Sequence, residues 1–262
     1  MTIRFGTMLV PQSATGWTAA ARDAEQQGYH TLLMPDTLMT QSPFPALAAA
    51  AAVTTTLRLR PNVLAAPLRT AATVVRETAA LQALSDGRFE LGIGVGRPGA
   101  EAEAQRLGLP WGSPGQRRTH LRDIVEAVRA EVDPAPAVMV AAAGPRMLTA
   151  AAGFADRILT AVGPKATEQD VAQLFSLVRD STDRPIPFTS QLIGVGERTA
   201  WSPSGHFDAA QLRDAGSFAL LPADPEAAAD ILRERQDKYG IDEVIVPGDL
   251  AEGFAPVLEL LS

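Results

Sequence analysis

Short apolar runs alternate with helix-forming segments along the whole of this chain, and that alternation constrains its fold more than any other feature. Ile3 to Val10 reads as a strand ended by Pro11, and Trp17 to Gln27 as a helix stopped by Gly28. The pattern then recurs. Thr31 to Met34 is a second strand, and Ser42-Pro43 opens a helix, as N-cap and first-turn proline, that runs through the alanine-rich Phe44 to Val53. Arg58 to Leu64 is a third strand. It is followed by a helix from Thr70 to Leu84, with Val74, Leu81 and Leu84 near one face, and by the turn Ser85-Asp86-Gly87-Arg88. Phe89 to Val95 is the fourth strand, and a Gly/Pro-rich loop from Gly96 to Gly115 leads to an amphipathic helix whose Leu121, Ile124, Val125, Val128 and Val132 share a face.

The second half repeats the scheme. Ala137 to Ala141 is strand five, Pro145 to Gly153 a short helix and Arg157 to Ala161 strand six. Thr167 caps a helix with Val171, Leu174, Phe175 and Val178 on one face, and Ile186 to Val195 is strand seven. Gly196 to Gly216 is the least regular stretch, with a loop at Ser202-Pro203-Ser204-Gly205 and a short helix from Asp208 to Asp214. Asp224-Pro225 starts a helix that Gly240 ends, Glu243 to Val246 is strand eight, and Phe254 to Leu261 is a final helix. Eight strands, each followed by a helical segment, predict an α/β protein: a (β/α)8 TIM barrel in a single domain over residues 1–262, with a doubly wound open sheet as the alternative.

Composition narrows the chemistry. The chain is 46% hydrophobic and 20% charged and has no cysteine, which excludes disulfides, thiolate metal sites and a cysteine nucleophile. With only three scattered histidines, no metal site is expected. The 23 basic against 30 acidic side chains give a net charge of -7, which argues against nucleic acid or an anionic membrane as partner. The apolar stretch Ala46 to Val53 is far shorter than the roughly 20 residues that span a bilayer, so a cytoplasmic protein is expected.

Three places could carry chemistry. Gly94-Val95-Gly96-Arg97-Pro98-Gly99 follows a strand and matches a dinucleotide fingerprint. Pro98 and the long loop stand where the phosphate-binding helix should start, and no acid follows at the ribose distance. These glycines therefore either let the chain turn or bring backbone close to a flat ligand. Ala141-Ala142-Ala143-Gly144-Pro145-Arg146 ends strand five and opens a helix, where free N–H groups and an arginine suit a phosphate, or form an ordinary proline-initiated helix. Asp36, after Pro35 at the end of strand two, could orient a ligand N–H, act as a base or cap the following turn. His30 is expected at the opposite, stability face of the barrel, His120 on a solvent-exposed helix face, and His206 at the surface of the irregular loop.

Taken together, three segments resemble the luciferase-like monooxygenase superfamily, in particular its branch of deazaflavin (coenzyme F420)-dependent oxidoreductases of actinobacteria. They are Gly28 to Asp36; Leu57 to Arg69 with Arg76 to Leu81 and the run Leu84-Ser85-Asp86-Gly87-Arg88-Phe89-Glu90-Leu91-Gly92-Ile93-Gly94-Val95-Gly96; and Gly144 to Leu148 with Ala155-Asp156. The resemblance keeps its order from Ile3 to Ala161 and returns at Asp224 to Val246.

What the resemblance implies is a (β/α)8 barrel with shortened loops that binds F420, or alternatively FMN, at the C-terminal ends of its strands. It would move a hydride to or from a small organic substrate; a degenerate, non-catalytic barrel is the third reading. On the matching positions, Asp36 is the acid near the cofactor ring, Asn62-Val63-Leu64 lies behind the ring, Gly94 and Gly96 border it, and Ala142, Ala143 and Gly144 with Arg146 hold the phosphate. The resemblance further implies a bulge with a cis peptide between Asn62 and Val63. Thr37 stands where relatives often have histidine, and Arg69-Thr70-Ala71 where many have Arg-His-Pro. A homodimer is expected from the alanine helix, which is apolar on every face.

Overall fold

The structure, a computed structural model, describes residues 2–202 and 205–261; Pro203 and Ser204, within the loop expected after Ser202, lie outside the described residues. In chain order, its first elements are β1 (Arg4–Met8), α1 (Ala14–Gln26), β2 (Thr31–Met34), α2 (Pro43–Ala51), β3 (Arg58–Pro61), β4 (Leu64–Ala65) and α3 (Ala71–Leu84). Then come β5 (Leu91–Gly94), α4 (Ala100–Arg106), α5 (Pro114–Glu131), β6 (Val138–Ala142), α6 (Pro145–Ala152), β7 (Arg157–Thr160), α7 (Glu168–Asp180) and β8 (Phe188–Gln191). The remaining elements are β9 (Gly194–Val195), β10 (Arg198–Thr199), β11 (Trp201–Ser202), β12 (Gly205–His206), α8 (Ala209–Asp214), β13 (Leu220–Leu221), α9 (Pro225–Tyr239), β14 (Ile241–Pro247) and α10 (Ala251–Leu261). The class is the expected one, α/β of the (β/α)8 TIM-barrel type, and the long strands pair in parallel.

The chain divides into two compact units. The N-terminal unit comprises Leu9–Gln26 and Thr31–Ala141, and the C-terminal unit comprises Met1–Met8, Gln27–His30 and Ala142–Ser262. In the N-terminal unit β2 pairs with β3 from Thr31 opposite Arg58 to Met34 opposite Pro61, and β5 lies between β4 and β6. Two contacts pin its loops. Arg88, from the Ser-Asp-Gly-Arg turn, donates to the carbonyls of Ala51 (2.9 Å) and Leu57 (2.8 Å) and to Thr54 Oγ1 (3.0 Å), so a cation satisfies the C-terminal end of α2. Glu25 at the end of α1 accepts the N–H groups of Thr55, Thr56 and Leu57. Burial alone would raise its pKa, but these donors outweigh burial and hold it at about 2.

Helices α3 and α5 pack on each other, and Val74 and Leu81 of α3 and Leu121, Ile124, Val125 and Val128 of α5 are all buried. Removing each such side chain from water contributes roughly 1.5–3 kcal/mol. Leu84, expected on the same face as Val74 and Leu81, is instead exposed. Ten residues at 100° each carry it about 80° round the helix from Val74, off the buried stripe.

In the C-terminal unit the parallel order is β1-β14-β8-β7. His30 donates its N–H to Phe5 O (2.7 Å) and accepts the Phe5 N–H on Nδ1 (3.3 Å), next to the start of β1. The irregular stretch is more ordered than the sequence suggests. β9 joins β10 and β13 in a small sheet, β11 and β12 form a two-stranded ribbon, and α8 is capped by Asp208, which accepts the Gln211 N–H. His206 is tied to Thr199 O through Nδ1 at 2.8 Å. Strand seven stops at Gln191 because Ile193 and Gly194 donate to Ala219 O and so turn the chain into the small sheet.

Candidate active site

Where the sequence predicts one strand from Arg58 to Leu64, the structure has two, β3 and β4, broken at Asn62 and Val63, and the peptide between those residues is cis as expected. Leu64 and Ala65 resume the parallel pairing, opposite Ile93 and Gly94 of β5, and both are buried. The break sets the backbone N–H of Ala65 within 3.2 Å of Asp36 Oδ2.

Asp36 follows β2, and its carboxylate is held on three sides. Arg69 donates Nη2 to Oδ1 at 2.6 Å and Nε to Oδ2 at 3.1 Å, a bidentate pair, while Ala65 donates its amide. The Asp36 side chain is 6% exposed and that of Arg69 18%. This geometry fixes the position of the loop between β4 and α3, and it engages the oxygens that would accept a proton from a ligand. Thr37 forms the turn beside it, with Oγ1 accepting the Met39 N–H at 3.1 Å.

The glycines at the end of β5 and just beyond it face the protein's own groups. A Cβ on Gly94 would meet Val63 Cγ2 at 3.0 Å, and one on Gly96, whose φ is +90°, would meet the Trp111 indole at 2.5 Å. The Gly96 to Gly115 segment is not all loop, because α4 runs from Ala100 to Arg106 behind Gly99. Glu101 and Glu103 in its first turn oppose a pyrophosphate there, and Glu103 is paired with Arg97 and accepts the Leu38 N–H.

Beside the Asp36–Arg69 pair lies a cavity of about 300 Å³ whose lining includes Pro67, Arg69, Trp111, Arg117 and His120. His120 is not solvent-exposed as expected: its Nε2 is 2.9 Å from the carbonyl of Arg69. A carbonyl only accepts, so Nε2 carries the proton. No local pattern marks this grouping, since Arg69 and His120 are 51 residues apart and meet only in the folded chain.

In the C-terminal unit, Ala142 is buried, whereas Ala143, Gly144 and Arg146 are exposed. Gly144 is the N-cap of α6, no side chain caps that helix, its first turn has no acidic residue, and a Cβ on Gly144 would meet nothing within 4 Å.

The family model of luciferase-like monooxygenases matches residues 1–193. The chain belongs to that family. As a luciferase-like protein it has the fold of this group of oxidoreductases and monooxygenases. An uncharacterized protein of Mycobacterium tuberculosis is 32% identical over 136 residues, covering 43% of this chain and 46% of that protein. The chain thus matches less than half the length of this curated relative. Among solved structures, the coenzyme F420 dependent tetrahydromethanopterin reductase of Methanopyrus kandleri aligns with a TM-score of 0.72 at 18% identity, covering 98% of this chain and 97% of that one. A riboflavin lyase in complex with modified FMN and riboflavin aligns with a TM-score of 0.80 at 14% identity, covering 100% of this chain and 91% of that one. At these identities the likeness is one of fold. Among the described residues of the luciferase-like chain, no helix is long and apolar enough to cross a membrane.

Proposed function

We propose that this luciferase-like protein is an oxidoreductase that uses the deazaflavin F420 to exchange a hydride with a small organic substrate. The observation that carries the reading is the uncapped N-terminus of α6. The exposed Ala143 and Gly144, the open space at Gly144 and the Arg146 side chain in the first turn fit an anionic phosphate. Bound there, the deazaflavin would supply the hydride chemistry. This chain's own residues would do the holding at the phosphate: Ala142, Ala143, Gly144 and Arg146. Asp36 acts through Arg69 and Ala65, keeping the β4–α3 loop in place, and is therefore a positioning residue. The fold likeness to a structure holding modified FMN supports FMN as the second reading.

Titration of the purified protein with F420 and, separately, with FMN tests this. F420 is expected to bind saturably, and Arg146→Ala to weaken it by about 10- to 100-fold, the effect of losing a hydrogen bond to a charged group. Asp36→Asn is expected to lower affinity through loop disorder and to lower the melting temperature as well. Saturable binding of FMN alone moves the assignment to the second reading. Binding of neither leaves a non-catalytic barrel.

The same reading includes a homodimer. Pro45, Ala49 and Ala52 are exposed on the outer side of α2 and its C-cap, a face without a polar group to solvate. Light scattering at micromolar concentration is expected to give twice the 27.6 kDa chain mass; a monomer mass would overturn this part.

A further inference from the structure

The cavity beside Arg69 has a composition that points to its own ligand. Pro67, Leu109, Pro110 and Trp111 give it apolar and aromatic walls, and at about 300 Å³ it lies at the lower end of the range of small-molecule pockets. One charge on its lining is unbalanced. Arg69 is neutralised by Asp36. Arg117 lies over the Trp111 ring at 4.4 Å and donates Nε to Val95 O (3.2 Å) and Nη1 to Gly112 O (2.8 Å). Those acceptors are neutral, no carboxylate lines the cavity, and among the described residues none pairs with Arg117.

An arginine held by carbonyls and by a ring face keeps its full charge while its orientation is fixed, and Nη2 remains to donate. His120 donates Nε2–H to the Arg69 carbonyl, which leaves Nδ1 as the second polar atom of a ring lining the same space. One uncompensated positive charge against a flat apolar wall selects a ligand of one negative charge and one or two rings. A dianionic phosphate would be left half neutralised, and burying unbalanced charge is costly.

We propose that this cavity binds a small aromatic carboxylate, its ring between Trp111 and the Pro67, Leu109 and Pro110 wall and its carboxylate on Arg117. The site goes beyond the oxidoreductase reading and does not depend on which cofactor, if any, the chain takes.

Calorimetric titration with 2-naphthoate and its neutral isostere 2-naphthamide tests the proposal in the absence of F420 and FMN. Saturable binding of the carboxylate is expected, with the amide weaker by about tenfold or more. Arg117→Met should abolish that preference, and Arg117→Lys, which keeps the charge, should retain part of it. Ala71→Phe, a filling substitution at the first residue of α3 on the cavity lining, should remove binding of both probes without a large change in melting temperature. Equal affinity for the two probes, a carboxylate preference that survives in Arg117→Met, binding undisturbed in Ala71→Phe, or no saturable binding at millimolar probe would each overturn it. Because the readout needs no cofactor, failure of F420 to bind leaves this result separately interpretable.

Discussion

Replacing Gly92 with alanine is expected to lower stability by about 3 kcal/mol or more. Gly92 sits in the middle of β5, and a Cβ there would stand 2.0 Å from the carbonyl oxygen of Pro61, with Arg60 Cγ at 3.1 Å and Met139 Cε at 3.3 Å. The first of these is backbone at the end of β3 and cannot swing aside as a side chain could. Relief requires moving a strand, and β5 is paired with both β4 and β6. For a chain of this size such a loss lowers the melting temperature by roughly 10 °C. Gly144→Ala is the matched control: its φ is −92° and the space around it is open, so stability should hold or rise slightly. Thermal denaturation of the two variants side by side decides the matter, and a Gly92→Ala protein melting within 2 °C or so of the parent would contradict the packing described here.

Glu90→Ala is expected to cost about 3 kcal/mol or more as well, for an electrostatic reason. Arg60 on β3 is wholly buried and donates Nη1 to Glu90 Oε2 at 2.6 Å, while the other carboxylate oxygen accepts from Arg58 at 3.0 Å. The Arg58 side chain is 45% exposed, so water can replace that half of the interaction. Water cannot reach Arg60. Removing the carboxylate strips a buried cation of a short, charge-assisted bond, and the desolvation cost of that cation stays. Urea denaturation of Glu90→Ala and Arg58→Ala separates the two contributions. The first should lower the midpoint markedly and the second by less than about 1 kcal/mol in free energy. Similar small losses in both would show that the buried pair does not carry the weight assigned to it.

The Ser85-Asp86-Gly87-Arg88-Phe89-Glu90-Leu91-Gly92 run shows how much of this was legible. As a pattern of residue types it marks a turn entering a strand, and the structure agrees: Asp86 and Gly87 have φ of 51° and 77°, and β5 starts at Leu91. Local rules reach that far because turn chemistry and strand propensity act within a few residues. They do not reach the partners. Arg88 holds the end of α2, Glu90 neutralises a buried arginine, and Gly92 makes room for Pro61, each contact spanning about thirty residues or more. The same division holds at the candidate site. Asp36 could be picked out by its place at a strand end, but its three donors come from Ala65 and Arg69, and nothing near Asp36 in sequence distinguishes a base from a clamp.

By itself, then, the sequence determined what periodicity and chain chemistry control: parallel strands alternating with helices, the helix starts at Thr167 and Asp224, and, through resemblance, the cis peptide at Asn62–Val63. Only the tertiary structure decided that strand seven gives its end to a small second sheet, and that His120, Trp111 and Arg117 converge beside Arg69 to line a cavity. The physical reason is range. Helix and strand signals arise from neighbours a few positions apart, whereas a cavity, a clamp or a buried ion pair exists only where packing brings distant residues within a few ångströms, and no spacing along the chain records that distance.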